Sequence, residues 1–143
     1  MKITWYGQAS FCIESADGVK IVTDPYNPET AGFKPFSEPA DIVIKSSSND
    51  SFHDNDHLVP KKDGAEVIDA LPVALDTGSV TSHEITFKAI EAMEDLDHPY
   101  HDPDQNAMYR FIVDGIQIGH MGDMGNKFSD EQIAFFEGVE ILL

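Results

Sequence analysis

Residues 106–125 read NAMYRFIVDGIQIGHMGDMG, and the fold follows from how this stretch is parsed. Two apolar runs, 106–113 and 116–121, flank Asp114-Gly115. A two-residue Asp-Gly link between apolar runs is a strong hairpin signal, because both turn positions need positive φ. The second run ends in Gly119-His120-Met121-Gly122-Asp123-Met124-Gly125. Glycines at this density argue for close backbone approach or positive φ, not a packed strand. An Asp held between them can point into a cleft.

Beyond the hairpin, Ser129 is placed to cap a helix, with Gln132 in the capping-box position and Ile133 and Phe136 sharing a face. Gly138 ends it, and VEILL at 139–143 reads as a final apolar strand. Before the hairpin, 2–7, 10–15 and 19–23 form a strand meander broken by Ala16-Asp17-Gly18. Spaced prolines at 25, 28, 35 and 39 make 25–39 a surface loop, since each removes a ladder donor. DIVIK at 41–45 is a short buried strand, 46–56 is loop, 65–73 holds a strand around Val67 and Ile68, and 85–92 alternates as a strand. Residues 93–105 are too polar for a core element. The class is α/β, with a β-rich N-terminal half and one helix near the C-terminus.

The chain has 143 residues, which fits a single domain spanning 1–143. Its formal charge of −17 argues against nucleic acid and anionic membranes, whose phosphates recruit Lys and Arg. No apolar run approaches the ~20 residues that cross a bilayer. The N-terminus lacks a signal-peptide pattern, and the lone Cys12 fits a reducing compartment, so a cytoplasmic location is expected. Most of the acidic surplus reads as a solvated shell. Some carboxylates remain available to hold a cation.

Three polar segments each follow a strand: 46–57, 94–101 and 120–123. In and beside them lie five of the six histidines, His53, His57, His98, His101 and His120, together with Asp50, Asp54, Asp56, Glu94, Asp95, Asp97, Asp102 and Asp123. Imidazoles and carboxylates converging on strand ends are what a divalent metal requires. His83 reads as a solvated surface residue, and Asp24, before Pro25, as a turn-forming side chain.

Five stretches, KITWYGQASFCIES, KIVTDP, ADIVIKSS, the 106–125 segment and FFEGVEILL, resemble the metallo-β-lactamase-fold hydrolases. The branch is that of predicted zinc-dependent hydrolases similar to the ascorbate-6-phosphate lactonase. The resemblance implies an αβ/βα sandwich with a metal site at the edge of two facing sheets. It also implies hydrolysis of a small ester, lactone or phosphoester by a metal-bound hydroxide.

The family's His-x-His-x-Asp-His motif, placed without a gap after DIVIK, falls on 48–53. Only its last His survives, as His53, while Asp50 replaces the second. A register shifted by four would keep the Asp56-His57 pair. Glu94 stands where the family has its next His, Asp123 matches the bridging Asp, and His120 the His before it. Gly7-Gln8 replaces the Gly-His near the start of relatives, which also continue well past VEILL. The resemblance therefore implies metal ligands among Asp50, His53, Glu94, His98, His101, His120 and Asp123, with Asp50 or Asp123 as general base. So carboxylate-rich a set favours Mn²⁺, Fe²⁺ or Mg²⁺, with Zn²⁺ still competitive. Two other readings stand beside the enzyme: a binding module that has lost turnover, and a fragment of a longer enzyme. The expected partners are a small-molecule substrate and a second copy joined through the exposed VEILL edge.

Overall fold

The computed structural model describes residues 1–48, 52–95 and 104–143. The first sheet contains β1 (Lys2–Gly7), β2 (Ser10–Glu14), β3 (Lys20–Thr23), β4 (Ala40–Lys45) and β5 (Lys61–Asp69), side by side in that order. The second contains β6 (Ser79–Ser82), β7 (Ile85–Asp95), β8 (Asp104–Val113), β9 (Ile116–His120) and β10 (Ile141–Leu142), in the order β10-β9-β8-β7-β6. Hairpin partners run antiparallel, while β3-β4, β4-β5 and β9-β10 are parallel. Three short helices connect them: α1 (Pro28–Ala31), α2 (Ala70–Leu75) and α3 (Asp130–Phe135).

The two sheets face each other across one apolar layer. Ile13, Ile21, Ile42, Ile44 and Ile68 from the first meet Phe87, Tyr109, Phe111 and Ile118 from the second, all buried. Alternate residues of the first sheet point outward, and there Cys12, Val22 and Val43 are covered by Tyr26, Phe36 and Val59. Both faces of β3 and β4 are thus buried, which is why these strands read as continuous apolar runs. The Asp114-Gly115 turn has the two positive φ values, 52° and 80°, that the sequence demands.

Several sequence expectations need correction. The proline-rich loop contains α1, because Pro28 occupies the first helical position, where no N–H is needed, and Asn27 caps it. The strand expected to reach residue 73 stops at Asp69, whose side chain caps α2. Pro72 falls in the first turn, where it costs no helical bond. The polar stretch after residue 92 is partly strand, since β7 runs on to Asp95 and β8 begins at Asp104. Helix α3 has the expected capping box, but it buries Gln132 and leaves Ile133 59% exposed. The Gln132 amide donates to the Glu91 carbonyl and accepts from Ser129 N–H, so a polar side chain docks the helix on β7.

Candidate metal centre

The C-terminal ends of β3, β4, β7 and β9 come together at one end of the sandwich. Asp24 follows β3 directly, is fully buried, and has φ +35°. Its carboxylate accepts from the Ser46 N–H at 2.6 Å and from the Ser46 hydroxyl at 2.9 Å. Ser46 in turn accepts the Ala107 N–H at 2.9 Å, which ties β4 to β8 in the opposite sheet. Burial pushes the Asp24 carboxyl above its usual range, against the opposing pull of His120, His53 and the Ser46 bonds.

His120 closes β9 and is buried, stacked on Tyr109 with ring centroids 4.8 Å apart. Its Nδ1 accepts the Gly122 N–H at 2.9 Å, so the ring proton sits on Nε2 and is donated to the Ala9 carbonyl at 2.8 Å. Burial holds this imidazole below its usual pKa, consistent with a neutral ring. Both nitrogens are engaged within the chain, so His120 as placed here braces the glycine turn.

The turn it braces carries Asp123. Gly122 has φ +61°, and a Cβ there would lie 2.7 Å from Ser46 Cβ and overlap the Asn106 amide. The buried Asn106 donates to the Met121 carbonyl at 3.1 Å. Farther along, Gly125 and Asn126 N–H groups donate to the Met93 carbonyl, and Met93 N–H donates to the Asn126 side chain at 2.8 Å. The turn is therefore laced to β8 and to the end of β7, beside Glu94.

These constraints bring His53, Glu94 and Asp123 together, with one potential ligand atom from each lying within 4.8 Å of the others. His53 Nε2 is 3.7 Å from Asp123 Oδ2; the imidazole is buried and the carboxylate is 60% exposed. Donors sharing an ion at about 2.1 Å stand roughly 3–3.5 Å apart, so small side-chain adjustments would close this set around a cation. One imidazole and two carboxylates suit a divalent ion. The adjoining cavity, about 350 Å³, is lined by Gln8, Ala9, His53, His120, Gly122 and Asp123.

The shifted motif register fails on geometry. Asp54 and Asp56 both pair with Lys45, Asp56 also meets Lys61, and His57 is exposed in a 3₁₀ turn at Asp56–Leu58. Ser48, at the first motif position, donates to Asp69. Asp50, His98 and His101 lie outside the described residues. His83 is exposed, as expected. Asp24 sits in a turn conformation, with φ +35°, and beyond that its buried carboxylate holds Ser46, a role that the sequence does not announce for Asp24, Ser46 or Asn106. Asp24 carried a usable signal, since it too is an acidic residue directly after an apolar strand.

The chain matches the family profile described as "Beta-lactamase superfamily domain" over residues 2–143. It belongs to the metallo-β-lactamase superfamily. Among solved structures, a candidate Zn-dependent hydrolase of that superfamily from Thermotoga maritima is 28% identical, with a TM-score of 0.69 over 98% of this chain. This chain spans 58% of that protein's length. A candidate metal-dependent hydrolase from Parabacteroides distasonis is 14% identical with a TM-score of 0.61, over 98% of this chain and 91% of that one. Zn²⁺-bound PqqB from Methylobacterium extorquens is 6% identical with a TM-score of 0.58, over 93% of this chain and 58% of that one. The last two likenesses show the metallo-β-lactamase fold alone. No curated protein matches the chain. No helix among the described residues is long and apolar enough to cross a membrane.

Proposed function

We propose that this chain holds a divalent cation between His53, Glu94 and Asp123 and serves a metal-dependent hydrolase acting on a small ester, lactone or phosphoester. The observation that carries the reading is the convergence of these three donors from the loop after β4, the end of β7 and the turn after β9. A bound cation supplies Lewis acidity and brings the acidity of a coordinated water toward neutrality. His53 presents a buried, oriented nitrogen. Asp123, the most open of the three, is the carboxylate placed to accept a proton from a water attacking the substrate. Neutral His120 keeps the Gly122 turn in place through its Nδ1, so that Asp123 faces the cavity. The carboxylate-rich set admits Mn²⁺ or Fe²⁺ as well as Zn²⁺.

The test is turnover of p-nitrophenyl acetate, bis-p-nitrophenyl phosphate and a simple γ-lactone by protein loaded in turn with Zn²⁺, Mn²⁺ and Fe²⁺. Metal-dependent turnover of at least one substrate, abolished in His53→Ala, is expected. Rates equal to the metal-free control for all three would overturn the reading. A binding module without turnover is the second reading. It is favoured by the bond from Ser48, at the first motif position, to Asp69, which commits that hydroxyl within the chain. Tight metal binding with no turnover on any substrate would select it.

A further inference from the structure

Besides His53 and Asp123, the cavity of about 350 Å³ is lined by Phe11, Met121 and Leu143, with Ala9 beside them. All three large apolar residues are half-buried. Their backbones are tied down. The Phe11 N–H donates to the Thr23 hydroxyl at 2.9 Å, and the Phe11 ring meets His120 edge-on with centroids 6.0 Å apart. The Met121 N–H donates to the Leu143 carbonyl at 3.0 Å, and the Leu143 N–H to the Gly119 carbonyl at 2.9 Å. An apolar surface is therefore already in place beside the donors, and a ligand need not order it.

The charges around this cavity have one sign. Among the described residues no Lys or Arg lines it. Lys45, at the end of β4, is taken up by Asp54 and Asp56. Residues 49–51 and 96–103 contain no Lys or Arg at all, but they do contain Asp50, Asp97 and Asp102. A divalent ion held here would be offset by the two carboxylates of Glu94 and Asp123. The formal charge of −17 adds a field that repels anions. A phosphate mono- or diester would thus meet no cation beyond the ion itself. The remaining polar side chain in the lining is a neutral amide, that of Gln8. Gln8 holds φ +50°, a state a non-glycine residue seldom adopts, and the Trp5 indole N–H clamps its carbonyl at 2.9 Å. Its side chain makes no hydrogen bond among the described residues, so the amide is available to a ligand.

We infer that the cavity selects an uncharged ester or lactone over a phosphoester, with the substrate's apolar arm against Phe11 and Met121 and a neutral oxygen of the substrate at the Gln8 amide. This deepens the hydrolase reading and rests on it. Each methylene taken out of water is worth about fourfold in binding, so partial burial of a six-carbon acyl chain favours it over acetyl at least tenfold.

The experiment has a kinetic and a spectroscopic arm, both on the full chain. With zinc loaded, kcat/KM for p-nitrophenyl hexanoate should exceed that for p-nitrophenyl acetate at least tenfold, and Phe11→Leu or Met121→Thr should narrow that ratio at least threefold. Inhibition by hexylphosphonate should strengthen as sodium chloride is raised, because salt screens the repulsion of an anion. Gln8→Lys should make that inhibitor at least tenfold more potent. In the second arm, N-methylhexanamide is titrated into metal-free and zinc-loaded protein carrying ¹³C-labelled methionine methyl groups. The Met121 signal, assigned by its loss in Met121→Thr, should shift saturably in both. Equal kcat/KM for the two esters, phosphonate inhibition that weakens with salt, no gain in Gln8→Lys, or an unmoved Met121 signal would overturn the proposal. A saturable Met121 shift without turnover of either ester would overturn the hydrolase reading and leave a site for a neutral apolar ligand. Metal-dependent turnover without preference for the longer chain would overturn the inference alone.

Discussion

His53 Nε2 stands 3.7 Å from Asp123 Oδ2, and nothing near either residue in sequence brings them together. The approach is produced by Asp24 and Ser46. Asp24 fixes the start of the loop that carries His53, while Ser46 binds β8 through Ala107 N–H. The candidate metal site therefore rests on a buried carboxylate outside the cavity lining as well as on the three donors themselves.

Replacing Asp24 by Ala leaves the Ser46 N–H and hydroxyl buried without an acceptor. Losses of this kind run to about 2–4 kcal/mol. Urea denaturation should show that loss, and zinc titration should show weakened binding even though no proposed ligand has changed.

Gly122→Ala is expected to be costly for two separate reasons. Its φ of +61° is unfavourable to any side chain, and the new Cβ overlaps Asn106 and Ser46. A loss of about 2–4 kcal/mol is expected from the strain and overpacking together. Gly32→Ala has a similar positive φ but open space, so its cost should be visibly smaller in the same melting experiment.

Acid sensitivity should carry a His120 signature. Burial holds its folded pKa below the ordinary histidine value of 6.5, so the unfolded chain binds the proton more readily. Stability from this group is fully present above 6.5 and is lost as pH falls from there through the folded pKa. Asp24 has the opposite sign: its raised folded pKa favours the folded state at low pH, and that contribution disappears as pH rises above 3.8. The difference between wild type and His120→Gln, measured by denaturation in chelator, isolates the His120 contribution. It should be flat above pH 6.5 and decline below it.

Lys45 ends β4 and gathers Asp54 and Asp56, the residues that follow His53. Lys45→Met should cost about 1–3 kcal/mol by releasing a partly buried charged contact. It should also weaken zinc binding, because the loop bearing His53 loses its anchor. Lys45→Arg should restore much of both.

The sequence revealed the parts whose physics is local. The Asp114-Gly115 turn, the Ser129–Gln132 capping box and the apolar runs of β3 and β4 each follow from a few neighbouring residues. The candidate donor set was only partly legible. His53, Glu94 and Asp123 were candidates because they follow strands, yet so did His57, and only the pairing of Lys45 with Asp54 and Asp56 separates them. His120 stood out for its place at a strand end, but its bonds with the Gly122 N–H and the Ala9 carbonyl are tertiary facts that no local pattern announces. Helix α2 was hidden because Pro72 suggests a break unless its position in the first turn is known.

Zinc titration by calorimetry of the chelator-stripped protein and of His53→Ala and Asp123→Ala, with folding of each confirmed by circular dichroism, tests the His53–Glu94–Asp123 site most directly. About one equivalent per chain is predicted for wild type, with the affinity of each folded variant reduced at least tenfold. Wild-type binding below a tenth of an equivalent, or unchanged affinity in both variants, would contradict it.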